Sequence, residues 1–63
     1  MERLLTLEEV QERLRVGRMA VRRLINEDPD FRTVKLGRRR LMTEQALAEY
    51  VRSREERFPG VPA

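Results

Sequence analysis

Apolar residues recur at helical spacing in three separate stretches of the chain. In the first stretch, Leu7, Val10 and Leu14 follow one another at offsets of three and four, which places them on one face of a helix. Thr6 stands three residues before Glu9, so the two side chains can form a capping box that opens the helix. The pattern predicts a first helix from about Leu7 to Leu14.

The second stretch resumes after a short interruption. Gly17 can serve as its N-cap, and Val16, the apolar residue of the turn, is expected to fill the gap between the two helices. Three residues form its apolar face: Val21, Leu24 and Ile25. The spacing predicts a second helix over residues 18–26, joined to the first by a tight turn.

The pattern then changes from helical spacing to alternation. Residues 26–30 (NEDPD) are turn formers with a proline, and they predict an exposed loop. Residues 31–36 (FRTVKL) alternate apolar and polar side chains, Gly37 and Arg38 supply a turn, and residues 39–42 (RRLM) follow. This order predicts a short β-hairpin, which must pack on the helices because a lone hairpin is unstable in water.

A third helix is predicted after the hairpin. Thr43 can cap it, and Glu44 suits the positive end of the helix dipole. Its apolar stripe is expected to lie in the core, with a partner or water for the tyrosine hydroxyl; the stripe comprises Ala46, Leu47, Tyr50 and Val51. The fold is thus expected to be mostly α with a small β-hairpin, one domain over residues 1–57, followed by a flexible tail at residues 58–63.

Composition narrows the classes of function. The 63 residues are 40% hydrophobic and 40% charged, which leaves little apolar material for a ligand pocket beyond the core. Cysteine and histidine are absent, so disulfides, zinc sites and thiol or imidazole catalysis are not expected. We therefore predict no enzyme activity, no catalytic or metal-binding residue and no cofactor. The acidic N-terminal sequence and the lack of a long apolar run predict a cytoplasmic protein with no membrane contact.

Charge is distributed unevenly along the chain. Residues 15–40 hold nine basic and three acidic residues, a net of +6, whereas residues 1–14 (two against four) carry −2 and residues 41–63 (three against four) carry −1. All but one of the basic residues are arginine, whose planar guanidinium suits phosphate oxygens and guanine edges. A basic centre rich in arginine indicates a polyanionic partner.

The exposed face of the second helix carries the first candidate site. If the apolar face of that helix points to the core, the helical period turns five residues to solvent, where a major groove can receive them: Arg18, Met19, Arg22, Arg23 and Asn26. The alternative is an ordinary solvated helix face. Only Arg23, with Glu27 four residues on, has an acidic partner at pairing distance, so intrahelical pairing explains little of this cluster.

The hairpin turn carries the second candidate site. Four basic residues surround it, and beside a recognition helix they are expected to reach phosphates or the adjacent minor groove: Lys35, Arg38, Arg39 and Arg40. For an isolated basic run a solubilising loop is the more common meaning. Next to a predicted helix-turn-helix, contact with DNA is the favoured interpretation.

Taken in order, four segments resemble the excisionase-type group of small helix-turn-helix proteins, which is related to MerR-type winged helices. The segments are residues 4–10 (LLTLEEV), 16–25 (VGRMAVRRLI), 34–42 (VKLGRRRLM) and 43–51 (TEQALAEYV). The resemblance implies a winged helix-turn-helix that binds double-stranded DNA, with the hairpin as a wing in the minor groove. It also implies a phage excisionase that binds several adjacent sites with further copies of itself, bends attachment-site DNA and directs a tyrosine integrase towards excision.

The chain departs from the family pattern in places, and other functions remain open. Gly17 stands where the family usually has serine, which removes a hydroxyl that can touch phosphate, and Arg22 stands where tyrosine is frequent. A small transcriptional regulator or repressor of the same fold fits the sequence as well. A phage assembly module that acts by oligomerising fits less well, because no long heptad segment follows the third helix.

Overall fold

Three helices and three short strands make up the protein. The computed structural model describes residues 2–56, and the predicted tail at residues 58–63 lies outside them. The elements follow in the order β1 (Leu4–Thr6), α1 (Leu7–Leu14), α2 (Arg18–Glu27), β2 (Val34–Leu36), β3 (Arg39–Thr43) and α3 (Glu44–Ser53). A helix-turn-helix with a β-hairpin wing is thus present, as the sequence predicts.

The first helix forms as its capping residues predict. The Glu9 N–H donates to Thr6 Oγ1 (3.1 Å), and the Thr6 N–H donates to Glu9 Oε1 (2.9 Å), so both bonds of the capping box are made. Gly17 caps α2 without a side-chain hydrogen bond, and α2 ends at Glu27, one residue later than expected. Thr43 accepts from the Ala46 N–H (3.0 Å) at the start of α3.

The turn between α1 and α2 is closed by backbone hydrogen bonds. Arg15 lies in the left-handed region (φ 58°, ψ 42°); its N–H donates to the Glu12 carbonyl (3.3 Å), and the Val16 N–H donates to the Gln11 carbonyl (3.1 Å). This is the Schellman arrangement, in which glycine is the usual residue. The expectation that Val16 fills the gap is wrong: its side chain is 39% exposed, because the main chain closes the turn.

Replacing Arg15 with glycine is expected to stabilise the protein. A side chain in the left-handed region costs about 1–2 kcal/mol, and the greater unfolded-state freedom of glycine offsets part of the gain, so Arg15→Gly should raise the free energy of unfolding by roughly 0.5–1 kcal/mol. Urea unfolding followed by circular dichroism measures the change. Arg15→Ala is the matched control: it removes the guanidinium but keeps the strain. An equal gain in both variants would contradict the prediction.

A third strand completes the sheet, and the sequence did not predict it. β1 pairs antiparallel with β3, and β2 pairs with the other edge of β3, so the strand order is β1-β3-β2. Leu5 lies opposite Met42, and the Glu44 N–H donates to the Arg3 carbonyl (2.9 Å). The chain before α1 is therefore attached to the wing and to the start of α3.

The first strand of the hairpin is shorter than predicted. It begins at Val34, whereas the alternating pattern included Phe31. The Phe31 N–H instead donates to the Asp28 carbonyl (3.1 Å) in a turn, and the Phe31 ring is buried, edge to face with Tyr50 at a centroid distance of 5.0 Å. Packing against α3 therefore replaces strand pairing at this position.

The core lies between the sheet and the helices, and every element but β2 contributes to it. Its buried members are Leu5, Val10, Val21, Phe31, Met42, Leu47 and Tyr50. Leu24, Ile25 and Ala46, which belong to the predicted apolar faces of α2 and α3, are partly buried and pack against these residues. Val51, predicted to lie in the core, is 42% exposed, because the buried stripe of α3 consists of Leu47 and Tyr50 alone.

The segment after α2 is not simply the exposed loop that its sequence predicts. The Asp28 side chain is only 17% exposed and accepts hydrogen bonds from the Tyr50 hydroxyl (2.9 Å) and from Arg54 Nη2 (2.7 Å) on the same oxygen. Its other oxygen accepts from the Asp30 N–H (3.0 Å), and the Arg54 guanidinium lies over the Tyr50 ring. One carboxylate thus holds the end of α2 against the end of α3.

The protein is expected to lose stability in acid through this carboxylate. The bond from Arg54, followed by those from Asp30 and Tyr50, holds the pKa of Asp28 below its ordinary value. The backbone N–H of Thr6 lowers the pKa of Glu9, and Gln45, followed by Arg32, lowers the pKa of Glu49. A lowered folded-state pKa contributes stability above the unfolded-state pKa, and that stability is lost as the pH falls through the folded-state value.

Urea unfolding over a series of pH values tests this. The free energy of unfolding should fall as the pH drops below about 4, and Asp28→Asn should lower stability at neutral pH and flatten the acid decline. Glu12→Gln is the control, since the described residues show no hydrogen bond or ion pair for the exposed Glu12 side chain; it should keep wild-type stability at neutral pH. If the free energy of unfolding of Asp28→Asn fell in acid as steeply as that of the wild type, the prediction would be contradicted.

Candidate nucleic-acid interface

The exposed face of α2 is fixed by how the helix is anchored. Val21 is buried, and Leu24 and Ile25 are half-buried against the core. Helical periodicity then turns the opposite positions outward, and the structure leaves all five predicted recognition residues exposed: Arg18, Met19, Arg22, Arg23 and Asn26. Their exposure agrees with the sequence analysis, and their contact with DNA stays a prediction.

The five residues fall into two groups. Arg18, Arg22 and Asn26 follow one another at intervals of four and line a groove of about 310 Å³ between α2, α1 and β3. Met19 and Arg23 do not line it. Met19 is 74% exposed, and Arg23 Nε lies 3.8 Å from Glu27 Oε2, the single acidic pairing that the sequence indicated for this helix.

The groove is strongly basic. Arg40 from β3 joins Arg18 and Arg22 in its lining; the remaining lining residues are Leu7, Gln11, Val21, Ile25 and Asn26, and none of these is acidic. Within residues 2–56, no ion pair involves any of the three arginines. Three guanidinium groups around one opening focus positive potential there, which favours an anion.

The wing is a tight hairpin. Leu36 pairs with Arg39, so Gly37 and Arg38 form a two-residue turn, and Gly37 supplies the positive φ (59°) that its first position requires. Lys35, Arg38 and Arg39 are exposed on this hairpin. The predicted cluster of basic residues is therefore carried on a two-stranded projection beside α2.

Arg40 is set apart from Arg38 and Arg39, whereas Lys35 lies directly opposite it in the hairpin and shares its face of the sheet. Arg40 is half-buried, and its Nη1 donates to Thr33 Oγ1 (2.8 Å). Strand residues alternate between the two faces of a sheet, so Arg40 shares the face of Met42, which packs in the core, while Arg39 shares the other face with Leu41. The structure thus places Arg40 in the lining of the groove with Arg18, Arg22 and Asn26, rather than at the tip of the wing.

Sequence reasoning missed Gln11. It stands four residues after Leu7 in α1 and lines the groove opposite α2. The sequence contained one signal for this position: Gln11 is a polar residue on the apolar side of an amphipathic helix, and such a residue is expected at the edge of the core. A glutamine amide can bond bidentately to adenine, which makes Gln11 a further candidate for contact with a base.

Other kinds of site find no support in the part of the chain that the structure describes. Residues 2–56 contain no group of three or more His, Cys, Asp or Glu side chains arranged to hold a metal ion. None of the described helices is both long and apolar enough to cross a membrane. The concentration of exposed arginine on α2 and the wing is thus the main chemical feature of the surface.

A family model described as a helix-turn-helix domain matches residues 4–55, which is most of the chain and includes all three helices and the wing. No curated protein and no solved structure matches the sequence.

Proposed function

The chain belongs to the helix-turn-helix domain family, a small DNA-binding family, and on that premise we propose that it is a phage excisionase without catalytic activity of its own. In this proposal α2 enters a major groove, and the exposed basic residues of the wing reach the adjacent minor groove or its phosphates. The observation that carries the DNA binding in this proposal is the groove lined by Arg18, Arg22 and Arg40, which has no acidic lining residue in the part of the chain that the structure describes.

The small size of the protein supports binding in several copies. One recognition helix and one wing contact little DNA, so the affinity for a single site is modest and neighbouring copies add to it. The net charge of residues 15–40 is +6, against −2 and −1 for the segments on either side, so the acidic ends of one copy can approach the basic centre of the next. Cooperative binding along the attachment site would bend the DNA for a tyrosine integrase, which performs the catalysis.

The absence of enzyme activity is part of the proposal. The sequence has no cysteine or histidine, and several acidic side chains are engaged in structure. Glu9 closes the capping box of α1, Asp28 holds α3, and Glu44 pairs with Arg13 (2.9 Å). Within residues 2–56, these three carboxylates are therefore committed to structural contacts rather than to a nucleophile, base and orienting group.

A mobility-shift titration at two salt concentrations tests the proposal. The probe is attachment-site or upstream DNA adjoining the gene, with a scrambled duplex as competitor. Cooperative, ladder-like shifts that prefer the probe, with the altered mobility of bent DNA, are the expected result. Binding should weaken with salt by a slope of about −0.9 in log K against log salt for each phosphate neutralised.

Two other results would overturn the excisionase proposal. A single discrete complex on promoter DNA would favour the transcriptional regulator or repressor of the same fold. Equal binding to probe and competitor would favour an assembly module that acts through protein contacts. Single, non-cooperative occupancy of a fragment with several sites would refute the contact between neighbouring copies.

A further inference from the structure

We propose that Arg40 is a phosphate clamp of the α2 surface, held in position by Thr33, and that it acts apart from the tip of the wing. This inference rests on the DNA binding proposed above and specifies which part of the DNA one residue contacts. It differs from the sequence analysis, which grouped Arg40 with Lys35, Arg38 and Arg39 in minor-groove or phosphate contact.

The position of Arg40 in the sheet supports this separation. Arg40 lies on the sheet face that packs on the helices, and it lines the groove together with Arg18, Arg22 and Asn26. Arg39, its neighbour in β3, is exposed on the opposite face. One strand therefore sends two adjacent arginines to two different surfaces.

The hydrogen bond to Thr33 orders the guanidinium before DNA is present. Arg40 Nη1 donates to Thr33 Oγ1 at 2.8 Å, and both side chains are half-buried. Free arginine side chains lose much rotamer freedom when they bind, so one that is already held loses less. A guanidinium has five N–H donors, and Thr33 occupies one of them. Donors remain for a bidentate contact.

Phosphate is the ligand that suits this place best. The lining of the groove holds three guanidinium groups and, among the described residues, no carboxylate, which favours an anionic ligand there. Arginine binds phosphate oxygens bidentately. When a recognition helix enters the major groove, the structure flanking it meets the groove wall, where the phosphates lie. Arg40 flanks α2 in this way, whereas Arg18 and Arg22 are on the helix itself.

The test uses the full chain and a duplex that the wild-type protein selects from a random-sequence pool. Failure to enrich any duplex would refute the proposed DNA binding itself, independently of Arg40. With a selected duplex, Arg40→Ala is expected to weaken binding roughly tenfold and to reduce the salt slope by about 0.9, the value for one phosphate. An unchanged salt slope would refute the proposed contact between Arg40 and a phosphate.

Thr33 is tested as a positioning residue by a pair of substitutions. Thr33→Val has nearly the same shape but cannot accept a hydrogen bond, and it is expected to weaken binding roughly threefold while leaving the salt slope intact, because the charge remains. Thr33→Ser keeps the hydroxyl and should restore wild-type affinity. Wild-type binding by Thr33→Val, with an unchanged melting temperature, would show that Arg40 needs no support from Thr33.

Inosine in place of guanine separates the two grooves. This replacement removes the 2-amino group from the minor groove and leaves the major-groove edge unchanged. The loss caused by Arg40→Ala should be equal on guanine and inosine duplexes; a loss that depends on inosine would place Arg40 in the minor groove and refute the proposal. Arg13→Ala, which removes an arginine paired with Glu44 away from the groove, is the control for net charge and should bind as the wild type does.

Discussion

Replacing Leu5 with alanine is expected to leave a substantial fraction of the protein unfolded at room temperature. Leu5 is 0% exposed, and it lies opposite Met42, which is also 0% exposed, where β1 meets β3. Removing a fully buried leucine side chain costs about 2–5 kcal/mol, from lost transfer energy and from the cavity that remains. A domain of this size has a total stability of only about 3–5 kcal/mol. The loss is therefore comparable with the whole stability of the fold.

Leu4→Ala is the matched control, because it removes the same atoms from the preceding residue of the same strand. Leu4 is 44% exposed, so its truncation is expected to cost less than about 1 kcal/mol. Thermal unfolding followed by circular dichroism should show a melting temperature lowered by more than roughly 10 °C for Leu5→Ala and by a few degrees for Leu4→Ala. Similar losses in the two variants would mean that β1 does not hold the core.

The importance of β1 could not be read from the sequence, whereas the helices could. A capping box and an apolar stripe are local signals, carried by residues three or four apart, and they placed α1 correctly at both ends. β1 has three residues, too few for a recognisable alternation, and its partner β3 is far along the chain. Two adjacent leucines before a helix therefore gave no indication that one of them is central to the core.

In the candidate site, too, the features set by local sequence were predictable and those set by contacts between distant segments were not. The exposure of Arg18, Arg22 and Asn26 follows from helical periodicity, which the sequence contains. The separation of Arg39 from Arg40 depends on the register of β3 and on which face of the sheet meets the helices. The role of Asp28 likewise depends on Tyr50, which lies in a different element. Contacts between distant segments were beyond sequence reasoning in each case.

Replacing Arg22 with alanine is expected to relax sequence preference at one base pair and to weaken binding to the preferred site roughly tenfold. Arg22 is exposed on α2 between two other residues that line the groove. These residues, Arg18 and Asn26, lie four positions away on either side, and neither is acidic, so neither can form an ion pair with Arg22. An unpaired guanidinium on a recognition helix can bond to the O6 and N7 of guanine, and such a pair gives about 1–3 kcal/mol of discrimination. Truncating an exposed side chain should change stability by less than about 0.5 kcal/mol, so the effect on binding can be separated from folding.

Arg39→Ala is the matched control for base recognition, because it removes the same charge from the exposed face of the wing. If Arg39 touches phosphate, this variant should lose affinity for preferred and scrambled duplexes alike, with a salt slope reduced by about 0.9 and unchanged preference. Repeating the selection from a random pool with each variant measures the preference directly. Broadened preference at a single position for Arg22→Ala alone would assign base reading to α2. Unchanged preference, with equal losses on both duplexes, would instead make Arg22 a phosphate contact and leave Gln11 and Asn26 as the side chains able to read bases from the groove.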